Sequence, residues 1–332
     1  MRLLGPLSDI SVQSIKSVMP TFSSAGQYPQ RSRRANFISQ LTSRLLQQSI
    51  AQPIEWMRVR QNILKLFSSD MARVDFSTQI IAGVPCVVCE PRDSATESVE
   101  RTLIYLHGGG YVVGSARGYK ATLATLSVMS RARVIGVEYR LAPEHVFPAA
   151  HDDCLAVTRE VLATSSVPVV MAGDSAGGAL CIDVLAQLHE QHQPGDRSVA
   201  ACTLISPWVD PAFVWPEVSA EKQAASIGAD ILSPALLDKW ISTYLNGSSL
   251  KSSRVNFTEQ QPLFLPKTYI QVAGAEIFYE QVMTFHQSCR DAGVDVTLDN
   301  FPSQFHVFQT FGALVPEARA ALGKVGEFFQ GS

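Results

Sequence analysis

The chain has 332 residues, 46% of them apolar and 17% charged, with 27 basic against 30 acidic side chains and a net charge of −3. That composition excludes a disordered or fibrous chain, and the near balance of charge excludes a general nucleic-acid binder, which needs a net basic field. One asymmetry survives: residues 1–60 hold eight Lys/Arg and two Asp/Glu, net +6, which leaves −9 over 61–332, and a solvated helix face accounts for it more simply than an anionic partner.

The first 66 residues read as helical. Ser8 caps a helix whose apolar face is Val12, Ile15, Val18 and Met19, stopped by Pro20. A second helix begins near Arg33, with Phe37, Ile38, Leu41, Leu45 and Leu46 at helical spacing. A third follows Pro53 through Trp56, Val59, Ile63 and Leu66. Such faces dock against a protein core. The runs 74–81 and 84–89 flank Ala82-Gly83 and read as a hairpin. Strands are then expected at 102–106, 134–139, 168–172, 200–206, 268–273 and 294–300. Helices are expected at 120–130, 149–162, 176–192, 280–292 and 318–329. Continuous Val/Ile/Leu strands between helices mean an α/β chain with a mostly parallel sheet covered on both faces. The stretch 211–244 breaks this rhythm with helical pattern and no strand, as an insertion would. Cys86 and Cys89 form a CxxC with no second pair for zinc and no helix start behind it, so they read as strand residues in a reducing compartment. The N-terminus lacks a signal-peptide core, and Ser32-Arg33-Arg34 leads into an amphipathic rather than a continuously apolar stretch. No run approaches the roughly 18 apolar residues of a spanning helix. Neither stable membrane insertion nor a nucleic-acid partner is expected, and the chain reads as cytoplasmic.

Two motifs carry chemistry. Gly173-Asp174-Ser175-Ala176-Gly177-Gly178 falls between an expected strand and an expected helix, the setting a G-x-S-x-G nucleophile turn requires. The turn is so tight that residues two positions either side of Ser175 must be small, and the helix N-terminus behind it favours negative charge. His107-Gly108-Gly109-Gly110-Tyr111 follows the strand at 102–106. Without Cβ atoms its backbone N–H groups can approach a substrate oxygen, so Gly108 and Gly109, with Ala176, are candidate oxyanion-hole donors. A flexible glycine loop is the plainer alternative.

Taken together, HGGGY, GDSAGG, Glu138-Tyr139-Arg140-Leu141-Ala142-Pro143-Glu144, Phe147-Pro148-Ala149-Ala150, Ser206-Pro207-Trp208 and Tyr244-Leu245-Asn246-Gly247 resemble the bacterial hormone-sensitive lipase family of α/β-hydrolases over about residues 70–330. The resemblance implies an α/β-hydrolase fold at 67–332. It also implies a helical cap made of residues 1–66 and the 211–244 insertion. Ser175 becomes the nucleophile, in the chain order serine, acid, histidine. Among seven histidines, His306 follows the last strand and matches the family's catalytic position. His107 opens the oxyanion loop, His189 and His192 read as solvated, and His286 sits mid-helix. The family's acid is aspartate, whereas here Glu276 stands at that position, with Asp295 and Asp299 as substitutes on the last strand. Glutamate can also fix an imidazole tautomer. Tyr111, Trp208, Phe278 and Phe305 are pocket-lining candidates, with packing as their simpler role.

The resemblance implies a carboxylesterase for a small-molecule ester of short to medium acyl chain, with no cofactor and no metal; a homodimer is an expectation from analogy alone, since such esterases are often dimers. Within hydrolases, a monoacylglycerol lipase or a deacetylase would use the same groups. A non-catalytic binding protein, like the family's plant hormone receptors, would be expected to lack the histidine that this chain keeps.

Overall fold

The structure, a computed structural model, describes residues 28, 30–63, 68–92, 99–212 and 229–332. The helix expected after Ser8 lies outside the described residues, as do Leu66 and residues 213–228 of the insertion. In chain order the strands are β1 Val74–Ile81, β2 Val84–Pro91, β3 Arg101–Leu106, β4 Ala132–Val137, β5 Val169–Asp174, β6 Ala201–Ile205, β7 Lys267–Ala273 and β8 Val296–Phe301. The helices are α1 Arg33–Ser49, α2 Ile54–Ile63, α3 Lys120–Ser130, α4 Ala149–Thr164, α5 Ala176–Glu190, α6 Pro234–Leu245, α7 Tyr279–Asp291 and α8 Pro316–Gln330.

The eight strands form one sheet in the order β1-β2-β4-β3-β5-β6-β7-β8. The first three pair antiparallel and every pair from β4 to β8 is parallel. The chain closes the β1–β2 hairpin through Ala82 at φ 48° and Gly83 at φ 81°, the two left-handed residues that match the twist of a two-residue turn. β3, β5 and β6 are buried along their whole length, which is why they read as unbroken apolar runs. Elements fall within about three residues of their expected bounds. β4 shows the largest shift, two residues toward the N-terminus, because Ala132 pairs with Arg101 while Tyr139 leaves the sheet and donates its hydroxyl to the His107 carbonyl. Cys86 and Cys89 are free, buried thiols on β2, pushed up to about 12 by burial. Among the described residues, no helix is long and apolar enough to cross a membrane.

α1 buries a stripe different from the one its apolar spacing predicts. Ala35, Ile38, Ser39, Thr42, Ser43, Leu46 and Ser49 are inside, while Phe37, Leu41 and Leu45 are half-buried. Small hydroxyl residues let this helix approach closely, and an apolar-periodicity argument passes over them. In α2, Met57 is buried and Trp56 is exposed. Three cations fasten this region to the rest. Arg31 donates to the carbonyls of Ser303 and Ala229. Arg58 donates to the carbonyls of Val112 and Ala142 and pairs with Glu144. Lys239 donates from α6 to the carbonyls of Ile50 and Gln52, in the α1–α2 turn. Part of the basic front of the chain is therefore spent on internal docking, where a solvated face was expected.

Candidate active site

Parallel strands bring their carboxyl ends to one edge of the sheet, and loops leaving that edge converge. Ser175 follows β5, the loop carrying Glu276 follows β7, the loop carrying His306 follows β8, and the glycine loop follows β3. Ser175 sits at φ 54°, ψ −121°, a conformation that side chains seldom adopt and that costs on the order of 1–3 kcal/mol unless the surroundings impose it. The surroundings do impose it. The Ser175 N–H donates to the Ile205 carbonyl and the Trp208 N–H to the Ser175 carbonyl, at 2.9 and 3.0 Å. A Cβ at Gly173 would collide with the Gly177 carbonyl, and one at Gly177 with the Leu106 carbonyl, so the two small residues are a steric requirement of the turn.

His306 Nδ1 lies 3.2 Å from Glu276 Oε2, with both side chains buried. The two loops are zipped together by Gly274 N–H to the Phe301 carbonyl and Ala275 N–H to the Gln304 carbonyl. A Cβ at Gly274 would leave too little room beside Pro302. Burial pushes the Glu276 carboxyl up to about 8, opposed by the Ser206 hydroxyl and the Ala273 backbone. Phe278 presses edge-on against His306, 4.9 Å between ring centres. Asp295 and Asp299 stand elsewhere. Asp299 accepts from Tyr269 and Lys324, and Asp295 is exposed on the far side of β7's start.

In the glycine loop the Gly108 N–H donates to Asp174 Oδ1 at 3.0 Å, so it is bonded within the protein. Among the described residues, the N–H groups of Gly109, Gly110 and Ala176 have no such bond. Asp174 also accepts from the Tyr105 and Tyr119 hydroxyls at 2.8 and 2.9 Å, which ties the serine turn to the loop in front of it. His107 is buried, stacked 4.2 Å from the Tyr139 ring, and holds the loop as its place there suggested. His189 and His192 are exposed.

Ser175, His306, Asp174 and Gly109 share a predominantly apolar cavity of about 50 Å³, walled by Thr42, Leu45, Leu46 and Ser49 of α1, Met57 of α2, and Ile231, Leu232 and Trp240. Tyr111, Trp208, Phe278 and Phe305 do not line it. Tyr111 stacks on Tyr244, and Trp208 on Phe278, behind the site.

Sequence reasoning passed over one buried carboxylate. Asp230 accepts from three backbone N–H groups: Ile231 at 2.7 Å, Ile277 at 2.8 Å and His306 at 2.8 Å. It lies inside the 211–244 insertion, just before the start of α6, in no motif and no period, and the sequence carries no signal for it. Val307, next to His306, takes φ 48°, an outlier for a β-branched residue.

Much of the chain is similar to known proteins. A family described as alpha/beta hydrolase fold matches residues 103–310. An acetyl-hydrolase of Streptomyces hygroscopicus is 33% identical over 69% of this chain and 75% of its own length. The carboxylesterase/phospholipase LipF of Mycobacterium tuberculosis is 30% identical over 74% of this chain and 65% of its own. Among solved structures, an esterase from the bacterial hormone-sensitive lipase family superposes with TM-score 0.75 at 27% identity, covering 88% of this chain and 97% of that one.

Proposed function

Because the chain belongs to the bacterial hormone-sensitive lipase family of α/β-hydrolases and is a carboxylic ester hydrolase, we propose that it cleaves short- to medium-chain acyl esters through an acyl-enzyme on Ser175. The observation that carries this reading is the shared cavity of Ser175 and His306, with Glu276 bonded to the far side of the imidazole. His306 takes the Ser175 proton as the hydroxyl oxygen attacks the ester carbonyl. Ala176 and Gly109 donate to the oxyanion, with Gly110 in place of Gly108, whose N–H Asp174 holds. The alcohol leaves with the proton from His306, and water repeats the sequence to free the acid. Glu276 fixes the tautomer in which Nε2 is the base.

Residues 1–66 and 211–244 serve as the cap, a reading supported by Thr42, Leu46, Met57, Ile231 and Trp240 on the cavity wall. The apolar wall of the cavity suits an acyl chain, and the acetyl-hydrolase among the relatives favours the short end of the range. The test is hydrolysis of p-nitrophenyl esters from acetate to palmitate. Turnover should be highest at acetate to butyrate and vanish in Ser175→Ala. Equal rates for the two proteins would end the serine-esterase reading, and a palmitate optimum would end the short-chain one.

A further inference from the structure

We propose that Asp230 is a positioning residue for the catalytic pair, clamping the backbone of the His306 loop and of the Glu276 loop from the cap side and holding a fixed negative charge beside the imidazole. This rests on the assignment of His306 and Glu276 made above. Asp230 Oδ1 accepts from the His306 N–H and Oδ2 from the Ile277 N–H, next to Glu276, so one carboxylate spans both loops. It is 6% exposed, and although burial raises its carboxyl, the imidazole and the Ile277 and His306 N–H groups act against that, so three accepted N–H bonds keep it in the pattern of an ionised carboxylate. Arg31 fixes it in turn. The guanidinium donates to the carbonyls of Ala229, beside Asp230, and of Ser303, in the His306 loop. It also lies over the Tyr28 and Phe305 rings. The left-handed Val307 follows directly, and a backbone held in so sparse a region needs restraint from outside the loop.

The charged and titratable groups around His306 are Glu276 after β7, Asp230 before α6, Arg31 before α1 with Tyr28 and Glu317 beside it, and Asp174 and Tyr119 on the cavity wall. A negative charge beside the pair keeps the proton on the imidazole and raises the pH at which Glu276 ionises. Its removal therefore moves the acidic limb of kcat/KM to lower pH. Removing the neighbouring positive charge does the reverse.

The experiment is the pH profile of p-nitrophenyl acetate hydrolysis by wild type, Asp230→Asn, Asp230→Glu and Arg31→Gln, with thermal midpoints measured alongside. Asp230→Asn is expected to lower kcat at least about tenfold with little change in KM, and to move the acidic limb down by about half a pH unit or more. Asp230→Glu, which keeps the charge, should keep the limb at the wild-type pH, and Arg31→Gln should move it up. Limbs that stay in place while only the thermal midpoint falls, or that move the same way in the Asn and Gln variants, overturn the proposal. If Asp230→Asn does not fold, the direction of the Arg31→Gln shift decides it. His306→Ala on the same substrate separates this from the triad reading. An active His306→Ala sinks the triad, whereas a dead His306→Ala with unmoved limbs sinks only the role of Asp230.

Discussion

Glu276 reaches His306 Nδ1 with Oε2 at 3.2 Å. The longer side chain is thus fitted by the geometry of the Gly274–Ile277 turn, where Gly274 is pressed against Pro302 and Ala275 is bonded across to Gln304. If Glu276 fixes the imidazole tautomer, Glu276→Gln should lower kcat by roughly 10³–10⁴-fold, because an amide can present its NH₂ to Nδ1 and favour the wrong tautomer. Glu276→Asp keeps the charge and withdraws it by one methylene, so an intermediate loss is expected. Rates on p-nitrophenyl acetate check both, and a fully active Gln variant would remove Glu276 from the mechanism. Glu276 could be singled out because it falls in a loop after β7 whose pattern resembles a known one. The commitment of the Gly108 N–H to Asp174 was not, since nothing in a run of three glycines tells which N–H turns inward.

At the scale of elements, the helices of the cavity wall pack into the apolar core and are also pinned by a few strong polar contacts. Arg58 makes one such set. It bonds the Val112 and Ala142 carbonyls and the Glu144 carboxylate, joining α2, with Met57 on the cavity wall, to the segment just beyond the glycine loop. Arg58→Met keeps the aliphatic stem and leaves both carbonyls without their donor. The Glu144 pair is half-exposed and adds little, so the expected loss is about 2 kcal/mol, chiefly from the carbonyl bonds. Urea unfolding measures that, and KM for acetate esters should rise as Met57 loosens. A change within a few tenths of a kcal/mol with KM unaltered would mean that α2 is held by packing alone. The three cationic fastenings were invisible in the sequence, where Arg31, Arg58 and Lys239 look like any surface bases; their carbonyl partners lie 54 to 272 residues away.

For the whole molecule, the buried carboxyls set how stability follows pH. Burial raises Glu276 from its ordinary 4.5 to about 8 and also raises Asp230. Between those limits the folded chain keeps a proton that the unfolded chain has released, so stability from Glu276 is full below about pH 4.5 and is lost as pH climbs toward 8. Glu276→Gln carries no such proton. Its thermal midpoint relative to wild type should therefore rise steadily from pH 5 to pH 8, and a constant difference would show that Glu276 is ionised throughout. Asp299, Glu100 and Glu144 are lowered, and act in the opposite sense. Glu144 is exposed and the other two are half-buried, their effect falls in the acid range, and solvent screens it. On the proposed mechanism, the pH that weakens the fold is also the one at which a deprotonated Glu276 lets His306 act as base.

The sequence by itself determined the α/β alternation, the hairpin, the bounds of most elements, and the three residues Ser175, Glu276 and His306 that the loops bring to one edge of the sheet. It could do so because strand and helix periods are local, because a serine turn needs small neighbours at fixed offsets, and because the family resemblance points to Glu276 and His306. Only the tertiary structure decided which face of α1 is buried, which glycine N–H is free, what Arg31 and Arg58 hold, and that Asp230 spans the two catalytic loops. These depend on partners distant in the chain, and on hydroxyls and backbone groups that leave no periodic trace in sequence.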